Sequence, residues 1–181
     1  GGVTWKDWYS ISGCESARPA FDRDDPRFVY AGCYMGIISE YDHQTSSSRD
    51  VAAYPVMPAA LQGREMKYRY NWSAPILVSE HDPTTIYHAS NHLVRSRDRG
   101  MTWDEISPDL TRDDESKQKW SGGPITGDNT GVEYYCTIFA MAESALERGL
   151  LWVGSDDGLV HLSRDDGATW GNVTENVPGL P

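Results

Sequence analysis

Apolar residues along this chain fall into short runs, each bounded by Gly, Pro, Asp, Asn or Ser. Runs of that length between turn formers predict β-strands joined by tight turns. The runs come in sets. Residues 16–21, 28–34, 36–41 and 51–54 make one set; 72–79, 85–89, 92–96 and a run ending near Ile106 make the next. Residues 136–142, 150–154, 159–163 and a run ending near Val173 make the last. We letter the strands of each set A to D. Asp-Pro turns precede strand B in two sets, at Asp25-Pro26 and Asp82-Pro83. Residues 4–9 read as a D strand that belongs to a preceding set.

An internal repeat marks the C–D turns. Ser96-Arg97-Asp98-Arg99-Gly100-Met101-Thr102-Trp103 and Ser163-Arg164-Asp165-Asp166-Gly167-Ala168-Thr169-Trp170 are two copies of S-x-D-x-G-x-T-W. Gly1-Gly2-Val3-Thr4-Trp5 reads as the tail of a third copy, whereas Tyr41-Asp42-His43-Gln44-Thr45 keeps only strand and turn character. The chemistry of the octet is structural. Ser and Asp side chains hydrogen-bond the backbone N–H groups of a tight turn. Glycine supplies the left-handed residue, and Thr-Trp opens the returning strand with the indole on the apolar side of the hairpin. Ser96, Asp98, Gly100, Thr102 and Trp103 are therefore expected to build a turn, as are Ser163, Asp165, Gly167, Thr169 and Trp170. A calcium loop would need further spaced carboxylates and a closing Glu, which the octet lacks.

Four-stranded units repeated at this length predict propeller blades. The expected fold is all-β: a β-propeller section of about three four-stranded blades plus one leading strand. Residues 1–11 form the outer strand of a preceding blade, and 12–56, 67–108 and 134–177 form blades. Residues 109–133 form a long loop. Propellers typically have four to eight blades. Further blades are thus expected, supplied by the same parent chain or by self-association.

At the octets the sequence resembles the BNR/Asp-box superfamily, which includes sialidases, xyloglucanase-like glycosidases and the sortilin-type (VPS10) ten-bladed domain. It is more similar to large exported bacterial proteins of the glycosyl hydrolase or sortilin-like repeat kind. The segments that carry this likeness are Lys67–Ile76, Ser79–Pro83, Arg95–Leu110, Ser121–Thr126, Asp128–Phe139 and Leu151–Asn172. The resemblance spans essentially the whole chain and implies a secreted or periplasmic bacterial protein.

Composition narrows the partners. With 27 acidic against 16 basic residues the formal net charge is −11, which repels phosphate backbones and anionic lipid. Nucleic acid and membrane surfaces are accordingly not expected as partners, and no apolar run has the length of a transmembrane helix. The 7 Trp and 10 Tyr are expected mostly to fill blade faces, although such residues also suit carbohydrate-like surfaces. The histidines lack metal-ligand spacing, no phosphate loop or nucleophile elbow is present, and neither metal nor cofactor is implied. Cys14, Cys33 and Cys136 are too few for a disulfide scaffold. Pairing Phe21 with Phe28 makes Cys14 and Cys33 diagonal neighbours, further apart than a relaxed disulfide prefers, so packed thiols are expected.

In a propeller the D–A and B–C loops share the face that usually carries function, and long loops tend to be functional. Those loops are residues 11–14, 56–71 and 107–134. Glu15, Arg69 and Glu133 sit near equivalent entries to strand A. Glycoside hydrolysis needs two carboxyl groups across one sugar, which makes Glu15 and Glu133, two blades apart, the candidate catalytic pair. Ion pairs with Arg18, Arg69 or Arg112 account for such acids equally well. Binding without chemistry needs a concave face with aromatics and a few polar groups. The candidates there are Arg69, Tyr70, Trp72, Trp120, Asp128, Asn129 and Tyr134, with a glycan or a peptide as ligand. A module that binds such a ligand is the leading expectation, and a glycoside hydrolase is the alternative.

Overall fold

The computed structural model describes residues 2–16, 18–58, 61–122, 125 and 134–179. Glu133, Asp128 and Asn129 lie outside the described residues. Within the described residues the backbone forms three four-stranded antiparallel sheets, each a meander in chain order. The first holds β1 (Ala20–Phe21), β2 (Phe28–Gly32), β3 (Ile38–Asp42) and β4 (Ser47–Asp50). The second holds β5 (Ile76–Val78), β6 (Ile86–Ala89), β7 (Leu93–Ser96) and β8 (Asp104–Glu105). The third holds β9 (Ile138–Glu143), β10 (Leu151–Ser155), β11 (Val160–Ser163) and β12 (Gly171–Asn172).

Side chains alternate between the two faces of a strand, so burial reports what covers each face. Every residue of β6 and β7 is buried, because the middle sheet is covered on both sides. Tyr30, Ile38, Val51, Ile76, Val78 and Ile86 form the core between the first and second sheets. Tyr87, Ala89, Leu93, Ile138, Leu151 and Val153 form the core between the second and third. In β10 burial alternates: Leu151 and Val153 are buried while Trp152 between them is 40% exposed. One face of the third sheet is therefore open.

The octet turns tie neighbouring sheets together. Ser96 Oγ donates to Asp98 Oδ1 at 2.7 Å and accepts from the Gly100 N–H, also at 2.7 Å. Asp98 in turn accepts from the Thr102 N–H at 2.8 Å and from its hydroxyl at 2.6 Å. The second octet repeats these four bonds with Ser163, Asp165, Gly167 and Thr169. Each indole reaches back across a boundary: Trp103 Nε1 donates to the Val51 carbonyl at 3.0 Å, and Trp170 Nε1 to the Ile106 carbonyl at 2.8 Å. Val51 and Ile106 hold the same place in successive sheets, since their N–H groups donate to the Ile38 and Leu93 carbonyls.

Three expectations differ from the structure. The D strand of the first set is Ser47–Asp50 rather than 51–54, because a short turn at 43–46 brings the chain straight back along β3. Residues 4–9 are not a strand: Trp5–Asp7 is a 3-10 turn, closed by bonds from the Thr4 N–H and hydroxyl to Asp7, and it takes no part in the three sheets. Cys14 and Cys33 are disulfide-bonded, with Cα atoms 5.0 Å apart. The regular ladder assumed for them ends early, for β1 pairs only Ala20 with Tyr30 and Phe21 with Val29. Ser12 and Gly13 then take positive φ, and the Cys14 N–H bonds the Gly32 carbonyl, which brings the two cysteines together. Cys136 is free and buried.

Candidate functional site

The ends of the strands opposite the octet turns converge on one buried cation. Arg69 is 4% exposed. Its Nη2 lies 2.6 Å from Asp109 Oδ2 and 3.0 Å from Asp113 Oδ1, and its Nε donates to the Cys136 carbonyl at 3.2 Å. The Arg69 backbone N–H donates to Asn91 Oδ1 at 2.9 Å, and Asn91 Nδ2 donates to Asp109 Oδ2 at 2.8 Å. A planar guanidinium with five donors suits this role, since it serves two carboxylates and a carbonyl at once. Burial by itself would raise the Asp109 pKa, but bonds from Thr111 and Asn91 and the Arg69 charge outweigh it and hold the carboxyl below its ordinary value. Residues 109–113 are thereby fixed to the B–C turn at 90–92 and to the entry of β9.

A second acidic group adjoins it. Thr137 donates to Asp156 through its N–H at 2.9 Å and its hydroxyl at 2.7 Å, and Asn71 Nδ2 donates to Thr137 Oγ1 at 3.2 Å. The neighbouring Asp157 is buried and accepts the Arg112 N–H at 2.6 Å. Burial, with Asp157 alongside, raises the Asp156 pKa above the ordinary carboxylate value.

The residues singled out from the sequence separate into two groups. Arg69, Tyr70 and Tyr134 are buried, with Tyr70 stacked on His88 at 4.8 Å, and the Tyr70 and Tyr134 hydroxyls find no partner among the described residues. Trp72 and Trp120 are open, 37% and 47% exposed, and Trp72 lies against Tyr34 with ring centroids 6.4 Å apart. Glu15 is exposed beside the disulfide. Asn91, Thr137, Asp156 and Asp157 were not singled out. Asn91 and the two acids sit in short B–C turns, where Asn, Asp and Gly read as ordinary turn formers.

Successive four-stranded meanders that pack face to face, with the same turn clasping each boundary, define a section of a β-propeller. A solved structure agrees. The chain matches the GH74 xyloglucanase of Xanthomonas campestris with a TM-score of 0.58 and 21% identity, over 90% of this chain and 23% of that one. Niastella koreensis GH74 aligns at a TM-score of 0.48 and 16% identity, over 86% of this chain and 22% of that one. YCF48 from Cyanidioschyzon merolae aligns at 0.48 and 12%, over 86% of this chain and 35% of that one. The chain thus spans under a quarter of the length of the two GH74 enzymes. No family model and no curated protein matches it. No helix among the described residues is long and apolar enough to cross a membrane.

Proposed function

We propose that the chain is a propeller section of an exported bacterial protein that binds a glycan or a peptide on the face organised by Arg69. The observation that carries this reading is the buried Arg69–Asp109–Asn91 network. It holds the segment after β8 in place while Trp72 and Trp120, close by in the chain, stay exposed. Preorganised loops beside open aromatics are what a saccharide ring or an extended peptide needs, because little ordering remains to be done on binding. The Cys14–Cys33 disulfide supports export, since such bonds persist in oxidising compartments. Further blades complete the ring in this reading, and the open face of the third sheet supports it.

The test is titration of the chain with xyloglucan oligosaccharides and with a peptide library, followed by tryptophan fluorescence. Saturable binding that weakens about tenfold in Trp72→Ala or Trp120→Ala is expected, tenfold being roughly the worth of one aromatic contact. No saturable response to either ligand class sinks the reading.

Burial raises the Asp156 pKa, the direction wanted in the acid of a glycoside hydrolase, and this favours that enzyme as one alternative. In that reading Glu15, Glu133 and Asp156 are the acids to examine. Release of reducing sugar by the wild-type chain, lost in Glu15→Gln, Glu133→Gln or Asp156→Asn, would establish it. Binding without any sugar release leaves the module reading standing alone.

A further inference from the structure

The two closed sheet boundaries are built alike but charged oppositely. Tyr30 pairs with Glu40 across β2 and β3, and Tyr87 pairs with Arg95 across β6 and β7, so Glu40 and Arg95 occupy the same place in successive sheets. Each meets the fourth octet residue of the following sheet. Arg99 grips Glu40 in bidentate fashion, Nε to Oε2 at 2.9 Å and Nη2 to Oε1 at 2.8 Å. One boundary further on, Asp166 Oδ2 lies 2.8 Å from Arg95 Nη1, with Arg97 Nη2 at 2.7 Å on the same oxygen. The pairing is acid-to-arginine at the first boundary and arginine-to-acid at the second.

We propose that these residues are a charge key that fixes the order in which the blades pack. Hydrophobic contact alone does not distinguish the boundaries, because the same turn glycine and the same tryptophan clasp Val51 at one and Ile106 at the other. Exchanging the partners sets Glu40 against Asp166 and Arg95 against Arg99. Glu40 is only 4% exposed, so an unpaired or like-charged neighbour there is penalised far more than at an open surface. Arg49, 2.9 Å from Glu40, and Tyr30, whose hydroxyl donates to Glu40 at 2.9 Å, fix the carboxylate for its partner. Packing of the Arg99 guanidinium over the Phe28 ring at 3.2 Å does the same for the cation. In the third sheet the corresponding residue is Leu162, paired with Trp152, so the ionic key belongs to the two closed boundaries.

The test uses the full chain. The exchange Arg99→Asp with Asp166→Arg leaves both composition and net charge unchanged, but it places like charges at both boundaries. Its urea midpoint is expected below that of Arg99→Gln with Asp166→Asn, which removes attraction without adding repulsion. Arg95→Glu is the decisive probe: it should lower the midpoint of the wild-type chain and raise that of the exchanged chain. If the exchanged chain does not fold, Asp166→Arg alone makes the same test at the second boundary, where adding Arg95→Glu is expected to raise the midpoint. A midpoint for the exchange equal to that of the neutral pair overturns the key. So does Arg95→Glu acting with the same sign in the wild-type chain and in the chain that carries Asp166→Arg. A wild-type chain with no β-type circular dichroism would instead refute the blade reading itself.

Discussion

Gly100→Ala measures how tightly one blade is clasped by the next. Gly100 sits at φ +82°, and a Cβ built there would lie 2.6 Å from the Val51 Cβ of the preceding sheet. Gly158 has nearly the same backbone, φ +88°, but nothing lies within 4 Å of a Cβ built on it. A left-handed backbone costs an L-residue about 1–2 kcal/mol, and an atom forced into a packed boundary adds about 1–3 kcal/mol. Gly158→Ala should therefore destabilise by about 1–2 kcal/mol and Gly100→Ala by about 2–5 kcal/mol. Urea unfolding followed by circular dichroism and tryptophan fluorescence separates the two, provided both variants keep the wild-type slope. If the two substitutions cost the same within about 0.5 kcal/mol, the scatter of an ordinary surface change, the boundary is not packed as described.

Burial lowers the His88 pKa to about 3, well below its ordinary 6.5. The unfolded chain therefore takes the proton first, and stability should fall as pH drops from about 6.5 toward 3; His88→Gln should flatten that slope, and an unchanged slope would exonerate His88. Replacing Cys14 and Cys33 by Ser together should lower stability by about 3 kcal/mol, and a reductant should weaken the wild-type chain but leave the double variant as it is. With Trp152 open on the third sheet, light scattering should show association that grows with concentration, and Trp152→Arg should move its onset several-fold higher. An onset that does not move would place the association elsewhere.

Strand periodicity and the repeated octet were enough to read three four-stranded units, because both signals are local. A strand shows its two faces in neighbouring residues, and the Ser96–Asp98–Thr102 hydrogen bonds close within one turn. The site was legible only in part. Arg69 was singled out by its place before strand A, but its partners Asn91, Asp109 and Cys136 stand 22, 40 and 67 residues away. Nothing in the sequence near Arg69 says that its charge is buried and paired. Asp156 shows the same limit, for its raised pKa comes from burial, which a turn sequence does not record.

By itself, then, the sequence determined three four-stranded units and the internal bonds of the octet turns, which depend on residues a few positions apart, though not the bounds of every strand. Tertiary structure decided what lies between the blades: the Cys14–Cys33 bond, the reach of Trp103 to Val51, the opposed charges of Glu40 with Arg99 and Arg95 with Asp166, and the open side of Trp152. Those features join residues far apart in the chain, and only the packing of one sheet on the next sets the distance and the dielectric that give them their strength.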